Sequence, residues 1–225
     1  MLNLKEKVDK QLSENIKSIF SCCSEAARDN GYRIYLVGGV VRDLILGMEI
    51  FDVDITVEGD AVEFCRHLEK KCNCSIKQIQ QDLRTAKVVF DSGIEIDFAS
   101  TRKESYPKSG HMPVIEETGC ALIDDVKRRD FTVNALVMSL NKADFGDVTD
   151  YVGGLEDIEQ KQLKVLHDKS FIDDPTRIIR GLKFSVRLGF RLEENTLKLQ
   201  NEYLQNHLSG DICWSRIKSD RKSVV

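Results

Sequence analysis

Apolar residues recur at helical spacing over residues 3–30, at Leu4, Val8, Leu12, Ile16, Ile19 and Phe20, and Asn30-Gly31 closes that predicted helix. The pattern then changes. Residues 34–37 form a continuous apolar run that reads as a buried strand. Gly38 and Gly39 break it, and the apolar spacing over residues 40–46 suits a short helix ended by Gly47. Residues 52–57 alternate with period two. On a strand, Asp52, Asp54 and Thr56 share one face while Val53, Ile55 and Val57 pack inward.

Further along, Asp60 is a plausible N-cap for a helix over Ala61–Lys71. Strand-like runs follow at residues 75–80, Thr85–Phe90 and 94–98, the last after an Asp91-Ser92-Gly93 turn. In that last run Glu95 and Asp97 lie on one face, so a neighbouring strand can offer a third carboxylate. Residues 101–118 hold Pro107, Gly110 and Pro113 without periodicity, which predicts a mobile loop. A basic run, Lys127-Arg128-Arg129, leads directly into an apolar strand-like stretch. After a Gly153-Gly154 turn and a short amphipathic piece the pattern becomes helical, over Thr176–Leu188 with Pro175 in its first turn, and again over residues 193–208. The expected organisation is an N-terminal helix (1–31), an α/β head (32–145) and a helical part (146–225).

Composition adds limits. With 225 residues, 41% of them hydrophobic, the chain can bury a real core. A net charge of −4 announces no global attraction to nucleic acid, so any such binding needs a local basic patch. The seven cysteines, Cys22, Cys23, Cys65, Cys72, Cys74, Cys120 and Cys213, include no C-x-x-C pair, which argues against zinc and for reduced thiols in a cytoplasmic protein. No apolar run approaches the ~18 residues of a membrane span. The histidines (His67, His111, His167, His207) lack partner spacing, and Trp214 reads as packing.

Two carboxylates side by side, Asp52 and Asp54, beside a glycine turn that opens a helix suit a triphosphate and its Mg²⁺. The turn offers backbone N–H groups to phosphate, and the carboxylates offer hard oxygen ligands. A dinucleotide fingerprint is excluded, because Arg42 and Asp43 stand where its third glycine belongs. A Walker loop is excluded because no Gly-Lys-Ser/Thr follows. Taken singly, Gly-Gly is an ordinary tight turn and Asp-x-Asp a solvated edge. Together on one strand–turn–helix–strand unit they point to nucleotidyl transfer.

Five segments in order carry a family resemblance: Leu36-Val-Gly-Gly-Val-Val-Arg-Asp43, Asp52-Val-Asp54, Asp97-Phe-Ala-Ser-Thr-Arg102, Arg128-Arg-Asp-Phe-Thr-Val-Asn-Ala135 and Asp173-Asp-Pro-Thr-Arg-Ile-Ile-Arg180. They resemble the bacterial-type tRNA nucleotidyltransferase and poly(A) polymerase family, which includes CCA-adding and A-adding enzymes. The resemblance spans residues 32–190. It implies a polymerase-β-like head on a mixed sheet, an α/β (α+β) fold, followed by a helical neck.

By the same resemblance, Asp52, Asp54 and Asp97 would be catalytic and hold two Mg²⁺ ions. Gly38, Gly39, Arg42, Arg129, Asp130, Arg180 and Lys183 would contact the nucleotide, mostly at its triphosphate. Lys183 stands where the family commonly has arginine. Asp174 and Arg177, i and i+3 at a helix start, would read the base. The expected partners are ATP, CTP and the tRNA 3′ end, with no membrane. A poly(A) polymerase and a catalytically silent nucleotide-binding fragment are the alternatives. The family pattern continues into body and tail domains, so a chain ending at Val225 is expected to be truncated.

Overall fold

The computed structural model describes residues 2–206. Cys213, His207, Trp214 and the last two residues of the helix expected at 193–208 lie outside these residues. The N-terminal pattern gives two helices rather than one: α1 (Lys5–Gln11) and α2 (Glu14–Asp29). Ser13 separates them, its Oγ accepting the Ile16 N–H at 3.4 Å as the N-cap of α2. A hydroxyl that caps one helix interrupts another, although the apolar spacing runs through both.

Next come β1 (Arg33–Val37), α3 (Gly39–Leu46), β2 (Asp54–Glu58) and α4 (Ala61–Lys71). Asp60 caps α4 as its sequence predicts, accepting from Val62 N at 2.9 Å and Glu63 N at 3.1 Å. Strands β3 (Cys74–Gln80), β4 (Thr85–Phe90) and β5 (Glu95–Ser100) follow. Residues 101–118, expected as a loop, instead form an antiparallel hairpin, β6 (Arg102–Ser105) and β7 (Val114–Thr118). Then come α5 (Leu122–Lys127), a single 3₁₀ turn at Thr132–Asn134, β8 (Val137–Ser139) and β9 (Val148–Thr149). The chain continues through α6 (Gly154–Glu159), β10 (Gln162–Leu163), α7 (Ser170–Asp173), α8 (Thr176–Leu188), β11 (Arg191–Leu192) and α9 (Glu194–Asn206).

Seven strands form one mixed sheet in the order β3-β4-β5-β2-β1-β8-β9, in which β2 and β5 are parallel and every other pair antiparallel. Period-two alternation divides the sheet. Ile34, Leu36, Ile55, Val57, Val88, Ile96, Phe98 and Met138 join the main core with buried residues of α2, α3 and α4. Phe64 of α4 lies against Phe98 with ring centroids 5.8 Å apart, and each buried Phe contributes about 1.5–3 kcal/mol. Tyr35 and Val37 face the other way, into a small cluster with Leu122 and Val126 of α5. Asp54 and Asp97 also alternate away from the core and are register partners across the parallel β2–β5 pair. That second face holds the candidate chemistry. Asp52 precedes β2 rather than lying in it, so it does not continue the strand face expected for it.

The cysteines are not all reduced. Cys22 of α2 and Cys72, at the end of α4, form a disulfide, while Cys23, Cys65, Cys74 and Cys120 are free thiols. The packing of α2 on α4 joins residues 50 positions apart, which cysteine spacing alone does not reveal. No helix among the described residues is long and apolar enough to cross a membrane.

The Gly153-Gly154 turn shows two distinct demands on glycine. Asp150 fixes it, one carboxylate oxygen accepting from Val152, Gly153 and Gly154 N–H at 2.9–3.1 Å and the other from Leu155 N at 2.9 Å. A Cβ on Gly154 would stand 2.3 Å from the Thr132 carbonyl oxygen, inside the 3₁₀ turn that carries Asn134. A Cβ on Gly153 meets nothing within 4 Å, but its φ of +83° is left-handed. Gly154→Ala should therefore destabilise by about 3 kcal/mol through overpacking against backbone. Gly153→Ala should cost only about 1 kcal/mol of backbone strain. Urea denaturation of the two variants measures both. Equal midpoints would mean that the turn yields to the added methyl.

Candidate active site

The site begins where β1 ends. Gly38 has φ +90°, and a Cβ there would lie 3.1 Å from an Arg129 guanidinium nitrogen and 3.2 Å from the Asn134 carbonyl oxygen. Conformation and crowding both require glycine. The Gly38 N–H donates to the Leu136 carbonyl at 3.0 Å, and its own carbonyl accepts from Val41 and Arg42 N–H at 3.1 Å, starting α3. The glycine turn is thereby locked to the segment holding Arg129 and Asn134.

A cavity of about 720 Å³ opens beside this turn. Gly38, Gly39, Arg42, Asp52, Asp54, Arg129, Asp130, Asp174, Arg177, Arg180 and Lys183 all line it, drawn from segments more than 140 residues apart. A second cleft, of about 200 Å³ beside Arg33, Tyr35 and Glu58, contains none of them. Asp97 is the one sequence-predicted residue that does not line the larger cavity. It stands next to Asp54 in register, but its Oδ2 pairs with Lys87 Nζ of β4 at 2.5 Å.

Arg42 is buried, at 1% relative exposure, and its charge is compensated by design of the surroundings. Its Nε donates to Asp43 Oδ1 at 2.9 Å, and another nitrogen donates to Asn134 Oδ1. Asn134 in turn donates to Asp130 Oδ1 at 3.1 Å, and Asp130 Oδ2 accepts from Arg180 Nε at 2.7 Å. Arg187 donates to Asp43 Oδ2 at 2.9 Å. Burial pulls the Arg42 pKa down, while Asp43 pushes it back up. Burial pushes the Asp130 carboxyl up, but Arg180 and Asn134 outweigh it and hold it below the usual carboxylate range. Phe184 lies under two guanidinium groups, 5.1 Å from Arg42 and 5.5 Å from Arg180.

A second ionic cluster ties the β6–β7 hairpin to the cavity. Glu104 accepts from Arg102 at 2.6 Å and Arg128 at 3.2 Å, and buried Asp125 pairs with Arg128 at 2.8 Å and Arg129 at 2.9 Å. Tyr106 donates to Glu104 at 3.3 Å and lies 5.7 Å from the Arg177 guanidinium. Arg177 itself is buried and fixed, donating to Ser170 Oγ at 2.6 Å and to the Arg128 carbonyl at 2.9 Å. Asp174 Oδ1 accepts from Thr176 N at 3.0 Å and Oγ1 at 2.7 Å, so it also caps α8. Sequence reasoning missed Asp43, Glu104, Tyr106, Asp125, Asn134 and Arg187. Asp125 pairs locally, with Arg128 and Arg129 at i, i+3 and i, i+4, while the pairs Arg42–Asn134, Asp43–Arg187 and Glu104–Arg128 are long-range and no local spacing records them.

Two observations show what the cavity can take. Arg129 Nε is buried and has no hydrogen-bond partner among the described residues. A buried guanidinium donor left unpaired beside a glycine turn suits an anion. Asp54 shows the opposite need. Although it presents surface to the cavity, loss of water and then the charges of Asp97 and Asp52 push its carboxyl up to about 6. Crowded anionic oxygens of this kind fit a divalent cation. Among the described residues no three His, Cys, Asp or Glu side chains converge to hold one alone. Further ligands would have to come from phosphate and water, the usual mode for Mg²⁺.

With this geometry in hand, similarity to known proteins is informative. The family model for the Poly A polymerase head domain matches residues 34–164. An A-adding tRNA nucleotidyltransferase of Aquifex aeolicus is 42% identical over 193 residues, covering 86% of this chain and 23% of that protein. The solved apo form II of a CCA-adding enzyme matches with a TM-score of 0.84 at 33% identity, over 91% of this chain and 48% of that one. The Thermotoga maritima CCA-adding enzyme complexed with tRNA matches with a TM-score of 0.78 at 31% identity, over 91% of this chain and 46% of that one. The chain spans less than half the length of each of these relatives.

The raised Asp54 pKa has a signed consequence for stability. A folded-state value of about 6 exceeds the unfolded one, so ionising Asp54 costs stability as pH rises through 4 to 6. Without divalent cations, Asp54→Asn should raise Tm at pH 8 and leave it unchanged at pH 4. A thermal scan at the two pH values checks this. A lower Tm at pH 8 would show that the carboxylate is already compensated by its neighbours.

Proposed function

The chain belongs to the Poly A polymerase head-domain family, and from that premise we propose that it adds C, A or both, from CTP and ATP respectively, to the 3′ end of tRNA, releasing pyrophosphate. The observation that carries this is the unpaired Arg129 Nε beside the Gly38 turn, in a cationic cavity that also presents Asp52 and Asp54. Arg42, Arg129, Arg180 and Lys183 would bind the triphosphate, in a region already populated with fixed guanidinium groups. The RNA 3′-oxygen attacks the α-phosphorus, the α–β anhydride bond breaks and pyrophosphate leaves. Positioning and charge neutralisation supply most of such catalysis, so no side-chain nucleophile is required.

Asp52 and Asp54 would hold divalent cation, and Asp97 would join them on release from Lys87. When bound, Mg²⁺ neutralises phosphate charge and lowers the pKa of the attacking hydroxyl. The division into a head (32–145) and a helical neck from 146 belongs to the same proposal. So does a cytoplasmic location, for which four free thiols among the described residues speak and against which the Cys22–Cys72 disulfide stands.

Base choice follows from bonding. Asp174 only accepts and Arg177 only donates. Cytosine and adenine place an amino donor beside a ring-nitrogen acceptor, matching the pair. Guanine and uracil place a carbonyl acceptor beside an N–H donor, and would face like groups with like. The fixed Arg177 guanidinium makes the discrimination rigid.

The experiment is single-nucleotide incorporation of each NTP into tRNAs lacking one, two or three terminal nucleotides, with the products sequenced. Asp52→Ala should abolish incorporation without loss of fold, because that side chain is exposed. Wild-type-like turnover would remove the cation assignment, and untemplated A-tails on any RNA would make the protein a poly(A) polymerase instead.

Asp174→Asn is the sharper variant, since asparagine retains helix capping while placing an amide donor where the carboxylate accepted. Discrimination against G and U should fall by about tenfold, from mismatched groups of ~1–3 kcal/mol each. Full preference for C and A in this variant would reduce Asp174 to a helix cap.

A further inference from the structure

Three arginine–aromatic stacks line the cavity, and they differ in what they leave open. Tyr106 with Arg177, and Phe184 with Arg42 and Arg180, are partly buried inside the protein. Phe51 is different. It directly precedes Asp52, lines the cavity, and is 63% exposed. The Arg187 guanidinium lies 5.8 Å from its ring centroid, and that guanidinium is anchored by donating to buried Asp43 at 2.9 Å. The ring is therefore backed by a fixed cation on one side and open to water elsewhere. A scattered exposed apolar residue needs no explanation. An aromatic ring backed by a cation, in a cavity wall and beside the catalytic carboxylates, does.

We propose that Phe51, backed by Arg187, is a stacking platform for the base of the RNA's 3′-terminal nucleotide. This rests on the transfer reaction proposed above and assigns the nucleic-acid side of the same cavity. The incoming nucleotide's base is placed by Asp174 and Arg177 at the start of α8, and Arg187 lies ten residues further along that helix, roughly 15 Å away at 1.5 Å per residue. A base on Phe51 is thus a second base. It lies next to Asp52 and Asp54, where the attacking hydroxyl must come. Stacking also suits the chemistry of successive addition, because the terminal base changes after each step and every base has a π-face. Exposed Met112, on the hairpin tip and lining the same cavity, adds apolar surface at the mouth.

The test uses the whole protein, with tRNA primers carrying 2-aminopurine as the 3′-terminal base. Phe51→Ala should raise KM for the primer about tenfold, the size of one lost base–aromatic stack, with KM for CTP and ATP unchanged. Phe51→Trp should restore the primer KM. The 2-aminopurine fluorescence should be quenched on binding to wild type and the Trp variant, and not to the Ala variant. Exposure of Phe51 keeps the fold out of question, and a Tm unchanged in Phe51→Ala verifies that. Primer KM and quenching unaffected by Phe51→Ala overturn the platform while leaving the transfer reaction standing, as does an equal rise in KM for the nucleotides. A wild-type protein that incorporates nothing into any RNA overturns the transfer reaction and the platform with it.

Discussion

Burial of the Arg42 guanidinium is the constraint from which the site follows. A cation taken out of water costs several kcal/mol unless its hydrogen bonds and charge are met, and breaking such a pair costs about 3–5 kcal/mol. Here the compensation comes from Asp43, the next residue on α3, and from Asn134 and Asp130 after α5, while Arg187 and Arg180 on α8 in turn pair with those two acids. Each partner is itself held by the next. The sheet, the 3₁₀ turn and α8 are thus joined by a network that tolerates little displacement, and the cavity wall is that network's exposed side. The same rigidity explains why a methyl at Gly154 matters, since it presses on the turn that positions Asn134.

Much of this was legible in the sequence, for a physical reason. The glycine turn, the alternation that turns Asp54 and Asp97 away from the core and the i, i+3 placement of Asp174 and Arg177 are local features, written in periods of two and 3.6, whereas Asp52, expected on the same strand face, precedes β2. Alternation fixed only the face each carboxylate takes, and the parallel pairing that sets Asp54 beside Asp97 is a property of the sheet order. What stayed hidden is non-local. The hairpin at Arg102–Ser105 and Val114–Thr118 has no apolar alternation, because Glu104 and Arg102 are held by ions rather than by a core. The Cys22–Cys72 bond and the Lys87–Asp97 pair likewise depend on which elements become neighbours. The break at Ser13 was local and still obscured, as unbroken apolar spacing outweighed a single capping residue.

A net charge of −4 coexists with a cavity whose lining carries eight basic and six acidic side chains, because charge is segregated. Arg42, Arg102, Arg128, Arg129, Arg177, Arg180, Lys183 and Arg187 all line it, facing Asp43, Asp52, Asp54, Glu104, Asp130 and Asp174. Asp43, Glu104 and Asp130 pair with arginines, which fixes the guanidinium groups and offsets part of their charge, and the lining keeps a modest positive excess. Global charge therefore says little about affinity for a polyanion, and the local pattern says much. Arg129 shows the pattern in one side chain, one terminal nitrogen paired with Asp125 and its Nε without a partner among the described residues.

The arrangement of α8 gives the last step. Arg177, Arg180, Phe184 and Arg187 fall at intervals of three and four, so they share one helix face turned to the cavity. On the proposed reading this single face meets the base at its N-terminal end, the triphosphate in its middle and the RNA terminus near its C-terminal end. A helix is stiff over such a length, so a shift that tightens one contact moves all three together. Base recognition and phosphate positioning are then mechanically coupled: a mismatched base held away from Arg177 would also misplace the contacts at Arg180. Selectivity would then appear in the rate of transfer as well as in binding, since catalysis here consists almost wholly of positioning. The Arg187–Asp43 and Arg180–Asp130 pairs keep this helix face seated on α3 and the 3₁₀ turn, and so hold the two halves of the cavity in register.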